Sequence, residues 1–429
     1  MSRNIPLFIA FRVFFNTRFY YPVLGVLFLD LGLTLEEYAM LNAVWAATIL
    51  LLEIPSGALA DLIGRKAMVV SAAALMVVEM AVFSFAPTGP WLFPLLILNR
   101  ILSGLAEACA SGADEALAYD SLPEEHREER WREVLSTLMR WSSGAFFVAM
   151  LLGAAVFDWN AVATISGHPG LSAGTTTRWP VYLTLGMSLP ALACALLMRE
   201  PLAHRAGGGT SHAMRGAWAN IVAGARFVFS DRRIRLLLLC AVLFDSMVRL
   251  FLTFASNYYR LIELPEFVNG FLGSSYAVLG FVAASLAKRA AATFSVGTVF
   301  VLVGTLIFVG LVGLGFATPL WGVWVVLPIG LSMPLLQYFL SNYLNAWTES
   351  GLRATVLSFR GMAINLGYGV AGLGFAAVTA TLRESSPTLS EDALFGRALW
   401  SLPIAFLAGA LVLFLSTKLA DLKTGNPKL

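Results

Sequence analysis

Gly57-Ala58-Leu59-Ala60-Asp61-Leu62-Ile63-Gly64-Arg65-Lys66 is the stretch on which the reading of this chain turns. It is a compact turn between two long apolar runs, with an acid at its centre and two cations at its end. Gly57 and Gly64 permit close backbone approach and left-handed turns. Asp61 is placed to accept hydrogen bonds from the N-terminus of a neighbouring helix, where the helix dipole favours an anion. Arg65 and Lys66 mark a membrane surface, and Arg65 can reach an acid at an adjacent helix end. Asp120 is the expected partner, with Asp114 as the second choice.

The rest of the chain explains why that surface is a membrane surface. Of 429 residues, 58% are hydrophobic and only 13% charged, about half the charge of a soluble fold. Mean hydropathy is +0.76. The 30 Phe and 11 Trp suit lipid-facing surface and interfacial belts. A net charge of +3 carries no message about nucleic acid. Cys109, Cys194 and Cys240 fall in apolar runs without pairing or metal-ligand spacing and read as packing residues. His126, His168, His204 and His212 lie in polar loops, so no apolar segment holds an imidazole for acid–base work. The N-terminus lacks a short apolar core ending in small residues, so the first helix is expected to stay on the protein.

A helix needs about 20 apolar residues to cross the hydrocarbon. That template gives twelve spans, near 5–29, 38–60, 67–86, 91–118, 133–157, 179–198, 232–260, 269–287, 292–316, 321–347, 355–380 and 397–418. The expected fold is all-α and membrane-integral, with two six-helix bundles at 1–198 and 232–418. Between them, 199–231 reads as a cytoplasmic linker with Gly207-Gly208-Gly209 and an amphipathic helix near 213–230; 419–429 is a cytoplasmic tail. Arg178, Arg260, Arg383 and Arg397 fall on one side of the membrane, six arginines lie within spans, and the remaining basic residues lie on the other side. The positive-inside rule therefore puts both termini in the cytoplasm. Val134-Leu135-Ser136 and Val356-Leu357-Ser358 open the fifth and eleventh spans, the trace of a parallel six-helix repeat.

The opening stretch closely resembles the signature loop of the major facilitator superfamily, Gly-x-Leu-Ala-Asp-x-x-Gly-Arg-Lys, in the position that family gives it. The resemblance implies a latch that closes the cytoplasmic side, built here from Gly57, Asp61, Gly64, Arg65 and Asp120. Asn99-Arg100-Ile101-Leu102-Ser103-Gly104 is similar to the family's Arg-x-x-x-Gly motif, which is linked to proton coupling. Gly280 through Lys288-Arg289 is a degenerate second copy of the signature without the central acid. The proline-bearing glycine stretch that drug:proton antiporters carry in span five has no match, since Ser143-Gly144-Ala145 through Gly153 holds no proline.

Charges inside the spans point to the site. Arg100, Glu107 and Asp114 recur every seven residues, so one continuous helix would stack them on one face with Gly104 and Ser111. That face reads either as a buried charge network or as proton and substrate handling. Glu79 sits in mid-span three. Alone, it would be pushed toward its neutral form by desolvation, as a proton carrier requires; the other reading pairs it with an arginine of another span. The proton-coupling set is thus Glu79, Arg100, Glu107 and Asp114. The substrate set is Arg12, Asn16, Arg18, Asp245, Arg249, Gln337 and Ser341. On a continuous helix Arg12 and Arg18 would point about 120° apart, and Asp245 lies four residues before Arg249, the spacing of an intrahelical ion pair.

The resemblance implies a secondary active transporter working by alternating access. The first expectation is proton-coupled movement of a small organic molecule, with export ahead of import. The alternative is uptake or exchange of a phosphate- or carboxylate-bearing anion held by the arginines. No cofactor, metal or nucleic-acid partner is implied, and no enzyme, since the histidines are too few and misplaced; a Walker-type phosphate loop is absent, which disfavours an ATP-driven pump. The expected setting is a multi-pass protein of a plasma membrane, such as a bacterial inner membrane, working as a monomer.

Overall fold

The computed structural model describes the chain except residues 1–2, 169–171, 201–221, 223–225, 349 and 425–429, and describes the backbone alone at a further set that includes Glu53, Gly57, Asp61, Ser358 and 350–355. All its regular elements are helical, and eleven of its helical stretches are long and apolar enough to cross a membrane. The helix expected at 213–230 falls mostly outside the described residues.

The chain forms two compact units, Met1–Ala219 with Pro265–Ser275, and Asn220–Leu264 with Tyr276–Leu429. The first contains α1 (Asn4–Asn16), α2 (Leu24–Asp30), α3 (Leu35–Ile63), α4 (Arg65–Phe85), α5 (Leu92–Ala110), α6 (Ala113–Asp120), α7 (Arg127–Phe157), two short helices α8 (Trp159–Ser166) and α9 (Ala173–Thr176), and α10 (Trp179–Leu197). The second contains α11 (Arg232–Thr253), α12 (Ala255–Leu261), most of α13 (Val268–Thr293), α14 (Val296–Phe316), α15 (Val326–Trp347), α16 (Ser350–Ser385), α17 (Glu391–Leu399) and α18 (Ser401–Thr424). Side chains define several starts. Thr34 and Glu37 form a reciprocal capping box on α3, and Asp231 accepts from the Arg233 and Ile234 N–H groups at the start of α11.

The first expected span is a broken helix, which is why eleven stretches rather than twelve qualify. Pro22 has no N–H, and in a continuing helix its ring would strike the Arg18 carbonyl, so α1 stops at Asn16 and a 3-10 turn at Tyr21–Val23 leads into α2. Backbone groups freed at such a break must find partners inside the protein. Phe19 N donates to Thr184 Oγ1 at 3.0 Å, and the Phe19 carbonyl lies on Gly153 of α7.

Two further expectations change. Helix α3 runs on through Ile63, so Gly57 lies within a helix and the signature narrows to one turn at Gly64, whose φ is +94°. Helix α5 stops at Ala110, because Gly112 takes a left-handed φ of +74°, and α6 starts afresh at Ala113. The face that Arg100, Glu107, Ser111 and Asp114 would share on one continuous helix is therefore divided. The degenerate second signature, Gly280 to Arg289, is helical throughout α13. Val134 and Val356, the paired positions of the repeat, are both buried.

A β-carbon at residue 153 would sit 1.7 Å from the Phe19 oxygen, whereas one at residue 144 meets nothing within 4 Å. Gly153→Ala should thus cost about 1–3 kcal/mol of stability, through forced backbone movement. Gly144→Ala should stay within about 0.5 kcal/mol. Thermal unfolding of both variants in detergent measures the difference.

Candidate functional site

In the first unit four of the charges expected within the membrane form two ion pairs. Arg12 on α1 places Nε 2.5 Å from Asp114 Oδ2, with Glu115 at 3.5 Å. Asp114 is fully buried, and its other oxygen accepts from Glu115 N at 2.7 Å. The break after Ala110 is what turns Asp114 from α5 toward α1. Arg18 lies beyond the end of α1, so the expected helical angle between it and Arg12 does not apply. Its Nη1 donates to Glu79 Oε1 at 2.5 Å in a buried pair. Glu79 is accordingly paired with an arginine, and its backbone carbonyl accepts from Asn99 Nδ2 at 2.8 Å. Neither span-one arginine is left with an uncompensated charge for an anionic ligand. Asn16 is exposed at the end of α1.

Arg100 differs. It is buried, its guanidinium carbon stands 5.0 Å from the centre of the Phe28 ring, and its Nε and Nη2 have no hydrogen-bond partner. Gly104, one turn on, lets α5 approach α3, where an added β-carbon would meet Thr48 at 2.8 Å. Glu107 is half-buried. At the expected latch, Arg65 Nη1 donates to Asp120 Oδ2, and Asp120 is indeed the partner rather than Asp114. The side chain of Asp61 and the surroundings of Gly57 lie outside the described residues.

The second unit gathers a different cluster. Arg249 Nη2 is 2.9 Å from Asp245 Oδ2, one turn back on α11, and Arg249 Nη1 donates to Asn365 Oδ1 on α16 at 2.8 Å. The Arg249 guanidinium also stands 5.3 Å from the Tyr368 ring centre. Gln337 of α15 bridges the group. Its Nε2 donates to Asp245 Oδ1 at 3.4 Å, and its Oε1 accepts from Arg360 Nη2. Asp245 is fully buried, while the Arg249 side chain keeps 27% of its surface exposed. Ser341 is exposed and accepts from Asn345 Nδ2, and no hydrogen bond joins it to Gln337 among the described residues. Arg360, Asn365 and Tyr368 had no assigned part in the sequence reading. Arg360 was visible as an intramembrane arginine, but nothing along the chain announces its proximity to Gln337.

Two arginines thus surround one carboxylate in the middle of the second unit. The surplus positive charge is part-buried and hydrogen-bonded to amide oxygens rather than to a second acid. Such an arrangement can hold one further anionic group. Among the described residues no cluster of His, Cys, Asp and Glu could hold a metal ion.

Comparison with known proteins agrees with this architecture. The family model described as Major Facilitator Superfamily matches residues 7–372, and the chain belongs to that family. It is a multi-pass membrane protein and a secondary transporter of a small molecule, not an enzyme. Among solved structures it is similar to the nucleoside transporter NupG, with a TM-score of 0.72 and 12% identity over 97% of this chain and 99% of that one. A bacterial homolog of the human lysosomal transporter Spinster, in an inward-facing and unoccupied conformation, gives 0.71 and 16% over 97% and 96%. A D-xylose-proton symporter gives 0.65 and 13% over 96% of each chain. At these identities the likeness is one of fold. No curated protein sequence matches the chain.

The buried Arg18–Glu79 pair should behave as a unit. Removing one partner strands a buried charge, at a cost of about 3–5 kcal/mol, whereas replacing both with apolar groups of similar volume is close to neutral. Arg18→Met is expected to lower the unfolding temperature sharply and the double variant Arg18→Met/Glu79→Leu to recover most of the loss. Melting curves of the three proteins in one detergent check this.

Proposed function

We propose that this transporter carries a small organic anion, bearing a carboxylate or phosphate, together with protons. The observation that carries the reading is the excess of arginine over carboxylate around Gln337: among the described residues, Arg249 and Arg360 against Asp245. A substrate anion that engages these guanidinium groups competes with Asp245 for them. Asp245, left without its arginine partner, is the carboxyl placed to take the accompanying proton. Anion and proton therefore bind together, each raising the affinity for the other by linkage. Joint loading is the coupling of an importer, so uptake of an anion is favoured here over the export suggested by the signature loop. The neutralisation of Arg12 and Arg18 by Asp114 and Glu79 supports the same assignment, since it leaves those pairs to hold the first unit together.

In this reading Arg65–Asp120 is the cytoplasmic latch. Both termini lie in the cytoplasm, on the evidence of the basic residues, and the membrane is a bacterial inner membrane. The transport path of a single chain suffices.

A ligand that binds only the folded state raises apparent stability, by about 2.7 kcal/mol at a hundred times its dissociation constant. Succinate, benzoate and glycerol 3-phosphate, tested against tetraphenylphosphonium at pH 6 and pH 8, should show stabilisation by at least one anion, larger at pH 6. The effect should vanish in Arg360→Ala. Asp245→Asn should keep the anion response, lose its pH dependence, and exchange substrate across vesicles without accumulating it down a proton gradient. Stabilisation by the cation alone, unchanged in Arg360→Ala, would overturn the assignment.

A further inference from the structure

We infer that Glu200 is the positioning residue for the signature turn, and that Asn4 holds Glu200 in place. Helix α4 begins directly after Gly64, which has no side chain to cap it, so its first N–H groups lack partners of their own. Glu200 supplies them from elsewhere in the chain. Its Oε1 accepts from Arg65 N at 3.1 Å and its Oε2 from Lys66 N at 2.7 Å. A carboxylate at a helix N-terminus gains from both the charge-assisted bonds and the dipole. A β-carbon at Gly64 would approach Glu200 Oε2 to 3.3 Å, so the turn's glycine accommodates the acid as well as the positive φ. By fixing the backbone of Arg65, Glu200 aims that guanidinium at Asp120.

Glu200 is itself fixed through its neighbour. The Asn4 amide takes both backbone groups of Arg199: Arg199 N donates to Asn4 Oδ1 at 2.9 Å, and Asn4 Nδ2 donates to Arg199 O at 2.7 Å. The second Asn4 Nδ2 hydrogen goes to Ser121 Oγ at 2.7 Å, one residue after Asp120. The result is a closed ring within the first unit, joining the start of α1, the end of α6, the start of α4 and the residues after α10. The functional meaning of the ring rests on the reading of Arg65–Asp120 as a latch.

Two readouts test this on the full chain in detergent. The first is the coupling between Arg65→Ala and Asp120→Ala in unfolding stability, measured in the wild-type and Glu200→Ala backgrounds. An exposed or half-exposed ion pair couples by up to about fivefold in the unfolding equilibrium constant. That factor should fall to near unity when Glu200 is replaced, and Glu200→Gln, which keeps one acceptor, should give an intermediate value. A cap that merely stabilises α4 would leave the coupling unchanged and overturn the inference. The second readout is alkylation by N-ethylmaleimide of a Ser136→Cys reporter in a cysteine-free background. Asp120→Asn and Glu200→Ala should each speed labelling, by similar and non-additive factors. If Asp120→Asn leaves labelling unchanged, the latch reading fails while the coupling result still decides the role of Glu200. If Asp120→Asn speeds labelling and Glu200→Ala does not, the positioning role is wrong. Asn4→Ala, which leaves the Glu200 side chain intact, should reproduce the loss of coupling even where Glu200→Ala cannot be purified.

Discussion

A charge inside a bilayer needs a partner, and that requirement organises the first unit of this transporter. Arg12 meets Asp114 and Arg18 meets Glu79, each at 2.5 Å and each joining parts of the unit that are distant in sequence. Water cannot supply the missing solvation in the hydrocarbon, so the helices are held where arginine and carboxylate can touch. The two breaks in the unit serve these contacts. The interruption at Pro22 takes Arg18 out of helical geometry, and the left-handed Gly112 swings Asp114 toward α1. Both breaks leave backbone groups that require their own partners, and Thr184 and Gly153 are placed to accommodate the first of them.

The second unit meets the same requirement less completely. Asp245 is shared between Arg249, one helical turn away, and the Gln337–Arg360 pair on neighbouring helices. One acid serves two cations, and amide oxygens of Gln337 and Asn365 fill the remaining donor directions. A fully compensated network would be inert, whereas a surplus cation with exposed surface leaves an affinity unused. The two units therefore meet their buried charges differently: by separate arginine–carboxylate pairs in the first, and by one carboxylate near two arginines in the second. Arg100 stands apart from both patterns, stacked on Phe28 with buried N–H groups unpaired.

The ring of Asn4, Ser121, Arg65 and Glu200 extends the logic to the ends of the helices. There, the problem is backbone rather than side-chain charge: a helix that starts after glycine has no cap of its own. Glu200 and Asn4 answer with side chains borrowed from distant parts of the sequence, 134 residues from Lys66 and 195 residues from Arg199. The signature turn is thereby connected to the residues just after α10, and not only to the helices on either side of it.

Composition and spacing by themselves determined the class of this protein. A charge content of 13% over 429 residues excludes a water-soluble shell, and Gly57 to Lys66 carries the family signature because a turn at a membrane surface needs glycine and fixed charge in a set order. The i,i+4 pair Asp245–Arg249 was legible for the same reason, since local helical geometry brings those side chains together whatever surrounds them. The partner of Arg65 could be narrowed to two acids because both lie at helix ends near one surface. Which arginine meets which acid across helices was not written in any local spacing. Arg18–Glu79, Arg12–Asp114 and Arg360–Gln337 join residues 61, 102 and 23 positions apart. Periodicity even misled at residues 100–114, because it presumes a continuous helix and one left-handed glycine ends it. Only the packed helices decide these contacts, since the energy of an ion pair depends on separation in space and the chain order records separation along the backbone.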